Sequence, residues 1–408
     1  MTKEPAINIA CFILFGWANN LGYHMMLSAA KDMMAGKAPT STVLFCDVLP
    51  SFLVKLTFPF VAEKIPYIWK VLMITIFGLI GFTCASFSMA NIGVGLFGVV
   101  INSLSGGLGE VTFLAYSSKF SRSTVSAWSI GTGLAGISAS GFYAILSDVY
   151  KVPYQTIIYM FCWIPLIMLE AYIVSSSKIS PGQKISDESL DEQYLTELES
   201  FVTKQLNESS IISDEFKYHQ ISNNENTVLK EKYRKIDFVA KIKSLKEIGI
   251  FIFSLFMVYV SEYLINHSVN PVIDFASHSD QYYTFANFAY QIGMFITRSS
   301  MPVFRIQSYL VIVPSIIQFA FLILFSFQAI YQFITNYWIM LTLCLFEGFW
   351  GGLTYVSALY WISKKSSHHN REFRMGIASL FDTSGVLLAS IIGLWYEPWL
   401  KKLHNQKM

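Results

Sequence analysis

Charged residues are scarce in this sequence of 408 residues, because Asp, Glu, Lys and Arg together make up only 14% of it. A soluble globular domain carries roughly 25% charged residues. The apolar residues, 53% of the chain, are gathered in runs of about 20, the length that crosses a hydrocarbon core as a helix. The sequence therefore predicts an all-α polytopic membrane protein.

Several kinds of chemistry have no signature in the chain. The net charge of +2 gives no indication of a nucleic-acid partner. The five cysteines lie in apolar segments without metal-ligand spacing, so we expect neither a metal nor another cofactor. There is no Gly-x-Ser-x-Gly elbow, His-Glu-x-x-His motif or Walker loop, and we therefore expect no enzyme. Without a nucleotide site, transport must draw on an ion gradient or run downhill.

Eleven hydrophobic segments are predicted to cross the membrane. The first follows Lys3 and is longer than the apolar region of a signal peptide, so we expect it to remain as a span. Six segments precede a polar, charged stretch and five follow it. This layout predicts an N-terminal half over 1–175, a central loop over 176–246 and a C-terminal half over 247–408. The predicted spans are 6–29, 42–62, 68–90, 92–116, 125–147, 153–175, 247–268, 281–297, 308–330, 334–361 and 373–396.

The distribution of lysine and arginine orients the chain. With the N-terminus in the cytosol, most of these residues outside the spans fall on the cytosolic side, even when the central loop is left out. The positive-inside rule therefore predicts a cytosolic N-terminus and central loop. The C-terminus, with Lys401 and Lys402, is then expected in the lumen.

The central loop has two parts. Residues 185–225 are acidic and rich in Ser and Asn, which predicts disorder. Residues 230–246 carry seven basic residues around apolar ones, which indicates either an amphipathic helix on anionic lipids or a plain positive flank. Two Tyr-x-x-Ile strings, at Tyr218 and Tyr233, resemble sorting signals, so 176–246 is also a candidate region for trafficking partners.

Two glycine-rich segments form an internal repeat. When 105–113 is placed over 347–355, Gly106 meets Gly348 and Gly109 meets Gly351. The two segments lie six spans apart, as expected for parallel halves of a major-facilitator-like bundle, in which the site lies near the midplane. Small residues one turn apart let helix backbones approach closely, so we expect these glycines to pack helices together.

Burying a charged residue inside a membrane span costs free energy, so such a residue usually serves a function. Glu110, Glu262 and Glu347 lie on small, polar stripes of their helices and are expected to line a substrate and proton pathway. Asp382 lies in the middle of the last span. The alternative for each is an internal ion pair that locks helices together.

Span two carries Asp47 and Lys55, eight residues apart on one face. Their axial separation of roughly 12 Å is too long for an ion pair, so we expect both to face one water-filled path. Arg298, at the cytosolic end of span eight, can reach the interface at little cost. His24, near the outer end of span one, is expected at the surface.

The motifs resemble those of the battenin family of lysosomal or vacuolar membrane proteins, whose human member is lost in juvenile neuronal ceroid lipofuscinosis. The resemblance covers nearly every span and fails mainly in the central loop. The strings that carry it include Gly-Leu-Gly-Glu-Val-Thr-Phe at 107–113, Val-Tyr-Val-Ser-Glu-Tyr at 258–263, Arg-Ser-Ser at 298–300, Glu-Gly-Phe-Trp-Gly-Gly at 347–352 and Asp-Thr-Ser-Gly at 382–385.

The resemblance implies a major-facilitator-like protein of about eleven helices, with a layout similar to equilibrative nucleoside transporters. It also implies a part in clearing glycerophosphodiesters from the lysosome, and in luminal pH and basic amino-acid balance. We therefore expect a transporter of a small polar metabolite, with a scaffold acting through 176–246 as the alternative. Lys55 would be the cation that meets a phosphate. Asn266 begins an Asn-His-Ser sequon and is a candidate glycosylation site at the luminal end of span seven.

Overall fold

A computed structural model describes residues 5–58, 65–88, 91–117, 119–120, 123–177, 245–275, 281–299, 306–366 and 368–406. The regular structure of these residues is helical throughout, and they contain no strand. The predicted all-α class is therefore confirmed.

The helices before the central loop follow the predicted spans closely. They are α1 Ala6–Ser28, α2 Ala30–Met34, α3 Ser41–Thr57, α4 Tyr67–Ser86, α5 Ile92–Ser117, α6 Ser123–Ala144, α7 Tyr154–Met160 and α8 Ile164–Ser177. Pro66 and Pro153 stand directly before α4 and α7, where a missing backbone N–H leaves no helical hydrogen bond unmade.

The helices after the loop are α9 Gly249–Leu264, α10 Tyr282–Ser299, α11 Ile312–Tyr331, α12 Tyr337–Lys365 and α13 His368–Asn405. The side chain of Asn336 caps α12 by accepting from the backbone N–H groups of Trp338 and Ile339. Two helices continue into a π-helical turn, α6 at Ile145–Val149 and α9 at Ile265–Val269.

Eight helices of the described part of the chain are long and apolar enough to cross a membrane. They are Tyr67–Ser86, Ile92–Ser117, Ser123–Val149, Tyr154–Ser177, Leu245–Val272, Ser308–Tyr331, Tyr337–Lys365 and Arg374–Asn405. The other three predicted spans coincide with α1, α3 and α10, which are shorter or more polar. The protein is thus a polytopic membrane protein, and the count of eleven spans stays a prediction.

The last helix is longer than predicted. The hydrophobic segment ends at 396, but α13 continues to Asn405 with Pro398 inside it. Lys401 and Lys402 therefore belong to the helix and not to a loop. Lys401 Nζ lies 2.7 Å from Glu397 Oε1, one turn earlier, which supports the extension.

Several helix contacts recur with the spacing of the internal repeat. Helix α1 packs on α6 and α9 packs on α13, while α3 packs on α5 and α10 packs on α12. Contacts of α6 with α10 and of α3 with α13 connect residues before the loop to residues after it. The described residues before 175 and after 246 belong to one compact unit.

The division into two halves stays a prediction. The predicted disorder of 185–225 and the tyrosine strings lie outside the described residues, as does the predicted amphipathic segment 230–246 except for its last two residues.

Candidate functional site

An ion pair between Lys55 of α3 and Glu110 of α5 lies inside the bundle. Lys55 Nζ is 2.8 Å from Glu110 Oε2, and the two side chains are 14% and 26% exposed. Lys55 Nζ also donates to Thr383 Oγ1 of α13 over 3.3 Å. The Thr383 hydroxyl lies 3.0 Å from Oδ1 of Asp382 and donates to it. Three helices thus bring one cation and two carboxylates into one cluster.

Arg298 turns inward from the last turn of α10 and does not extend towards the membrane interface. Its Nη2 donates to the Tyr259 hydroxyl of α9 over 3.2 Å. Its guanidinium carbon lies 4.4 Å from the centre of the Tyr355 ring of α12, a cation–π distance. Tyr355 also interacts electrostatically with Lys55 and Asp382. The two tyrosines therefore hold Arg298 next to the Lys55 cluster.

Glu262 of α9 is 1% exposed. Tyr290 of α10 donates its hydroxyl to Glu262 Oε1. The other oxygen, Oε2, has no hydrogen-bond partner among the described residues and lies beside Gly351 of α12. Arg298 interacts with this carboxylate electrostatically, but it does not form an ion pair with Glu262 within 4.0 Å among the described residues.

Glu347 of α12 is fully buried. Asn266, in the π turn after α9, donates its amide to both carboxylate oxygens over 3.2 and 3.4 Å. Gln318 of α11 donates to Oε1 over 2.8 Å. Two neutral amides therefore supply the hydrogen bonds of this carboxylate. The internal ion pair that was the alternative interpretation of Glu347 is not what holds it among the described residues.

The position of Asn266 corrects the proposed glycosylation site. Its side chain is only 4% exposed, and its amide nitrogen is already bonded to Glu347. A glycan on that nitrogen would need both space and a free N–H, and the folded protein offers neither. The sequon is a local pattern that does not report burial.

Asp47 does not share an environment with Lys55. It is 2% exposed, and its Oδ2 has no hydrogen-bond partner in the described part of the chain. Ser103 of α5 donates its hydroxyl to the backbone carbonyl of Asp47, which packs α3 on α5 there. The water path that the two residues were expected to share stays a prediction.

A small polar pocket, with room for about one water molecule, lies between α1, the end of α9 and α10. Its lining contains amides, imidazoles and phenols but no carboxylate or ammonium group; the residues are His24, Leu27, Tyr263, Asn266, His267, Asn287, Tyr290 and Gln291. Two wall residues contact the buried acids, because Tyr290 bonds to Glu262 and Asn266 bonds to Glu347. The pocket and the acids thus form one hydrogen-bonded system.

His24 belongs to this pocket and not to the surface. Its Nδ1 lies 3.2 Å from Gln291 Nε2 across the gap between α1 and α10. The expectation of a surface position is wrong because the outer end of α1 is covered by α10. Helix α10, which corresponds to predicted span eight, also lines the pocket.

The glycines of the repeat differ in how closely they pack. A side chain at Gly109 would overlap Asn19 Oδ1 of α1, as one at Gly351 would overlap Glu262 Oε2 of α9. Gly348 lies against the carbonyl of Tyr290. A Cβ atom at Gly106 would find its nearest neighbour 3.9 Å away, so that glycine has room to spare. Gly109 and Gly351, which are aligned in the repeat, thus each lie against a side-chain oxygen from a facing helix.

Several residues that complete the site were not predicted from the sequence. Gln318, buried in α11, and Glu397, buried in α13, are polar residues within apolar helices. That signal was available, because a buried polar group needs a partner. Tyr259, Tyr290 and Tyr355 gave no such signal, since tyrosine is common in membrane helices.

These features define a polytopic helical membrane protein with charged and polar groups inside its bundle. A family model described as CLN3 protein matches residues 10–403. Protein BTN1 of Yarrowia lipolytica is 33% identical over 414 residues, covering 98% of this chain and 96% of that protein. Protein BTN1 of Debaryomyces hansenii is 32% identical over 425 residues, with 99% and 96% covered. Protein BTN1 of Saccharomyces cerevisiae is 29% identical over 414 residues, with 98% and 96% covered.

The chain therefore belongs to the CLN3, or battenin, family. This membership confirms the resemblance on which the expectations of fold were based.

Proposed function

We propose that the protein is a transporter of the lysosomal or vacuolar membrane that moves a small polar metabolite by alternating access. The observation that carries this proposal is the polar pocket whose walls are bonded to Glu262 and Glu347. Polar and ionisable groups inside a membrane are costly to bury, and such groups typically mark substrate and ion pathways. The family membership and the name BTN1 of its relatives fit this location.

A glycerophosphodiester is the favoured substrate, with a basic amino acid as the second candidate. For a phosphodiester, Arg298 is better placed than Lys55. Lys55 already has Glu110 as a partner. Arg298 contacts only tyrosines at close range, and its buried Nε has no hydrogen-bond partner among the described residues. A planar guanidinium also matches phosphate oxygens in pairs.

Glu110, Glu262 and Glu347 are the proposed proton-coupling groups. Glu262 and Glu347 interact electrostatically with each other inside the protein. They lack a cation within ion-pair distance in the described residues, so protonation would relieve their repulsion. Proton coupling of this kind would connect solute export to lysosomal pH.

Purified full-length protein in proteoliposomes with an acidic interior tests the proposal. The vesicles are loaded with glycerophosphocholine, lysine or a nucleoside, and release is followed by mass spectrometry. The expected result is release of one solute, reduced by E262Q and R298A. K37M, which removes the charge of an exposed lysine, is the matched control. If the intact protein releases none of these solutes, the proposal is wrong.

The scaffold alternative concerns residues 176–246, of which almost all lie outside the described residues. Deleting this loop tests it. Normal lysosomal metabolites with a correctly delivered loop-less protein would rule the scaffold out.

A further inference from the structure

Hydrogen bonds between 5–174 and 247–406 gather at one end of the bundle. This is the end at which α1 finishes and α3 begins, the luminal end in the predicted orientation. Tyr283 of α10 donates to the carbonyl of Leu27 over 2.9 Å, and Asn287 donates to Ser28 Oγ over 3.0 Å. Thr284 donates to the carboxylate of Asp148. Near the opposite end, the corresponding contact among the described residues is the 3.3 Å bond from Lys55 to Thr383.

Glu397 of α13 also belongs to this group. It is fully buried, and its Oε2 accepts from both the backbone N–H and the hydroxyl of Thr40, each over 2.7 Å. Thr40 precedes the first residue of α3, where an N–H has no helical partner and a negative charge is favoured. Lys401 Nζ lies 2.7 Å from the other oxygen of Glu397 and is 44% exposed. A buried carboxylate that follows the central loop in sequence thus holds the beginning of a helix that precedes the loop.

A second set of bonds reinforces this contact. Ser41 Oγ donates to the carbonyl of His267 over 2.9 Å. The Thr40 hydroxyl oxygen lies 2.8 Å from the same carbonyl, while its single hydrogen is donated to Glu397. Ser41 Oγ also lies 3.0 Å from Ser268 Oγ. Both His267 and Ser268 belong to the π turn that continues α9.

These contacts form the wall of the polar pocket at that end. His267, Leu27 and Asn287 line the pocket, and the same three residues take part in the bonds that cross between the halves. Separating α1 and α3 from α10, α13 and the π turn after α9 would therefore open the pocket at this end.

We infer that Thr40 and Glu397 form the latch of a gate that closes the pocket at this end of the bundle. The inference rests on the proposed alternating access, because a gate has a function only if the pocket must open in turn to each side. The described structure is then the state closed at the Thr40 end. Opening exposes Glu397, Ser41 and the carbonyl of His267 to water.

Cysteine cross-linking tests the closed state. In full-length protein with Cys11, Cys46, Cys84, Cys162 and Cys344 replaced by alanine, the pair S41C and S268C is introduced. The two Oγ atoms are 3.0 Å apart, which suits a disulfide after small adjustments. We expect rapid cross-linking by a mild oxidant, seen by mass spectrometry, and slower cross-linking when E397Q is added. The single variants S41C and S268C, oxidised alike, are the controls.

Accessibility of the pocket tests the latch itself. A single L27C reporter in the cysteine-free protein, held in nanodiscs, is labelled with a membrane-impermeant maleimide. E397Q removes a charge that strengthens two hydrogen bonds, so labelling should become about five- to tenfold faster. T40V, which removes the hydroxyl with little change of shape, should also make labelling faster. It provides a second test of the latch if E397Q does not fold. T42V, two residues along, is the matched control.

Unchanged labelling in both E397Q and T40V overturns the latch. Faster labelling without solute release by the intact protein leaves the gate standing and counts against the proposed transport. Faster labelling with release supports both.

Discussion

The carboxylate of Glu262 occupies the space beside Gly351 in which any other residue would place its Cβ atom. Tyr290 donates its hydroxyl to the other oxygen of the same carboxylate, so the acid is fixed between α10 and α12. In the aligned position of the repeat, Asn19 fills the space beside Gly109. Each of the two aligned glycines thus makes room for a polar side chain. The side chain beside Gly109 is the neutral Asn19, and the one beside Gly351 is the acidic Glu262.

The variant G351A should destabilise the protein. An added methyl group would overlap Glu262 Oε2, and overpacking of this kind costs about 1–3 kcal/mol. The measurement is the thermal unfolding temperature of the purified protein in detergent.

G376A is the control for that variant. A Cβ atom at Gly376 meets no atom within 4 Å, and alanine is favoured over glycine inside a helix by roughly 0.5–1 kcal/mol. Its unfolding temperature should be unchanged or higher. Equal losses in both variants would contradict the close approach of Glu262 to Gly351.

Removing the cation of the Lys55 cluster should cost more than removing its partner. K55M leaves Glu110 and Asp382 facing each other without a cation, whereas E110Q leaves Lys55 close to Asp382. Since the pair is partly buried, we expect a loss of about 1–3 kcal/mol for K55M, between the values for exposed and buried pairs.

Thermal unfolding of the two single variants and the double variant measures this difference. The double variant K55M/E110Q should be more stable than K55M alone, because one unpaired carboxylate is gone. K37M, at an exposed lysine, serves as the control. A double variant with the summed loss of the two single variants would show that the residues are not coupled.

Asn266 should carry no glycan in the folded protein. Its side chain is buried and bonded to Glu347. Treatment of the protein from its native membrane with an N-glycosidase, followed by intact mass measurement, should give no mass loss that depends on Asn266. A loss that disappears in N266Q would contradict the burial. The second sequon, Asn207-Glu-Ser, gives an internal comparison through N207Q.

Arg298 should not be replaceable by lysine. A lysine keeps the charge but loses the planar stacking on Tyr355 and the directed bond to Tyr259. We expect R298K to lower stability by about 0.5–2 kcal/mol, the range for cation–π contacts at partly buried sites. Y355F, which keeps the ring, should lower it less than Y355L does. A smaller loss in Y355L than in Y355F would show that the ring does not hold the guanidinium.

Much of the fold could be predicted from the sequence. Hydropathy located a helix in each predicted span because apolar length is a local property. The predicted last span ended too early, at 396, because Glu397 and Pro398 are typical of the end of a span. The burial of Glu397 against Thr40 depends on α3, which no local pattern in the last span reveals.

The site was predicted only in part. Glu110, Glu262 and Glu347 stand out because a carboxylate in an apolar run is costly wherever it lies. Their partners come from other helices, such as Lys55, Tyr290 and Gln318, and no local pattern pairs them. The direction of Arg298 likewise depends on tyrosines from two other helices.

The π turn at Ile265–Val269 contains one residue more than an α turn would. Successive residues of an ordinary helix differ in direction by about 100°, so three neighbours rarely serve a common region. Here the side chains of Asn266 and Ser268 contact Glu347 and Ser41, and between them the backbone carbonyl of His267 lies against Thr40 and Ser41. Deleting one residue from this turn would leave the direction of the Glu262 side chain unchanged. It would change the direction of every side chain that follows the turn. A single added residue in α9 is therefore what connects the buried acids to the Thr40 end of the protein.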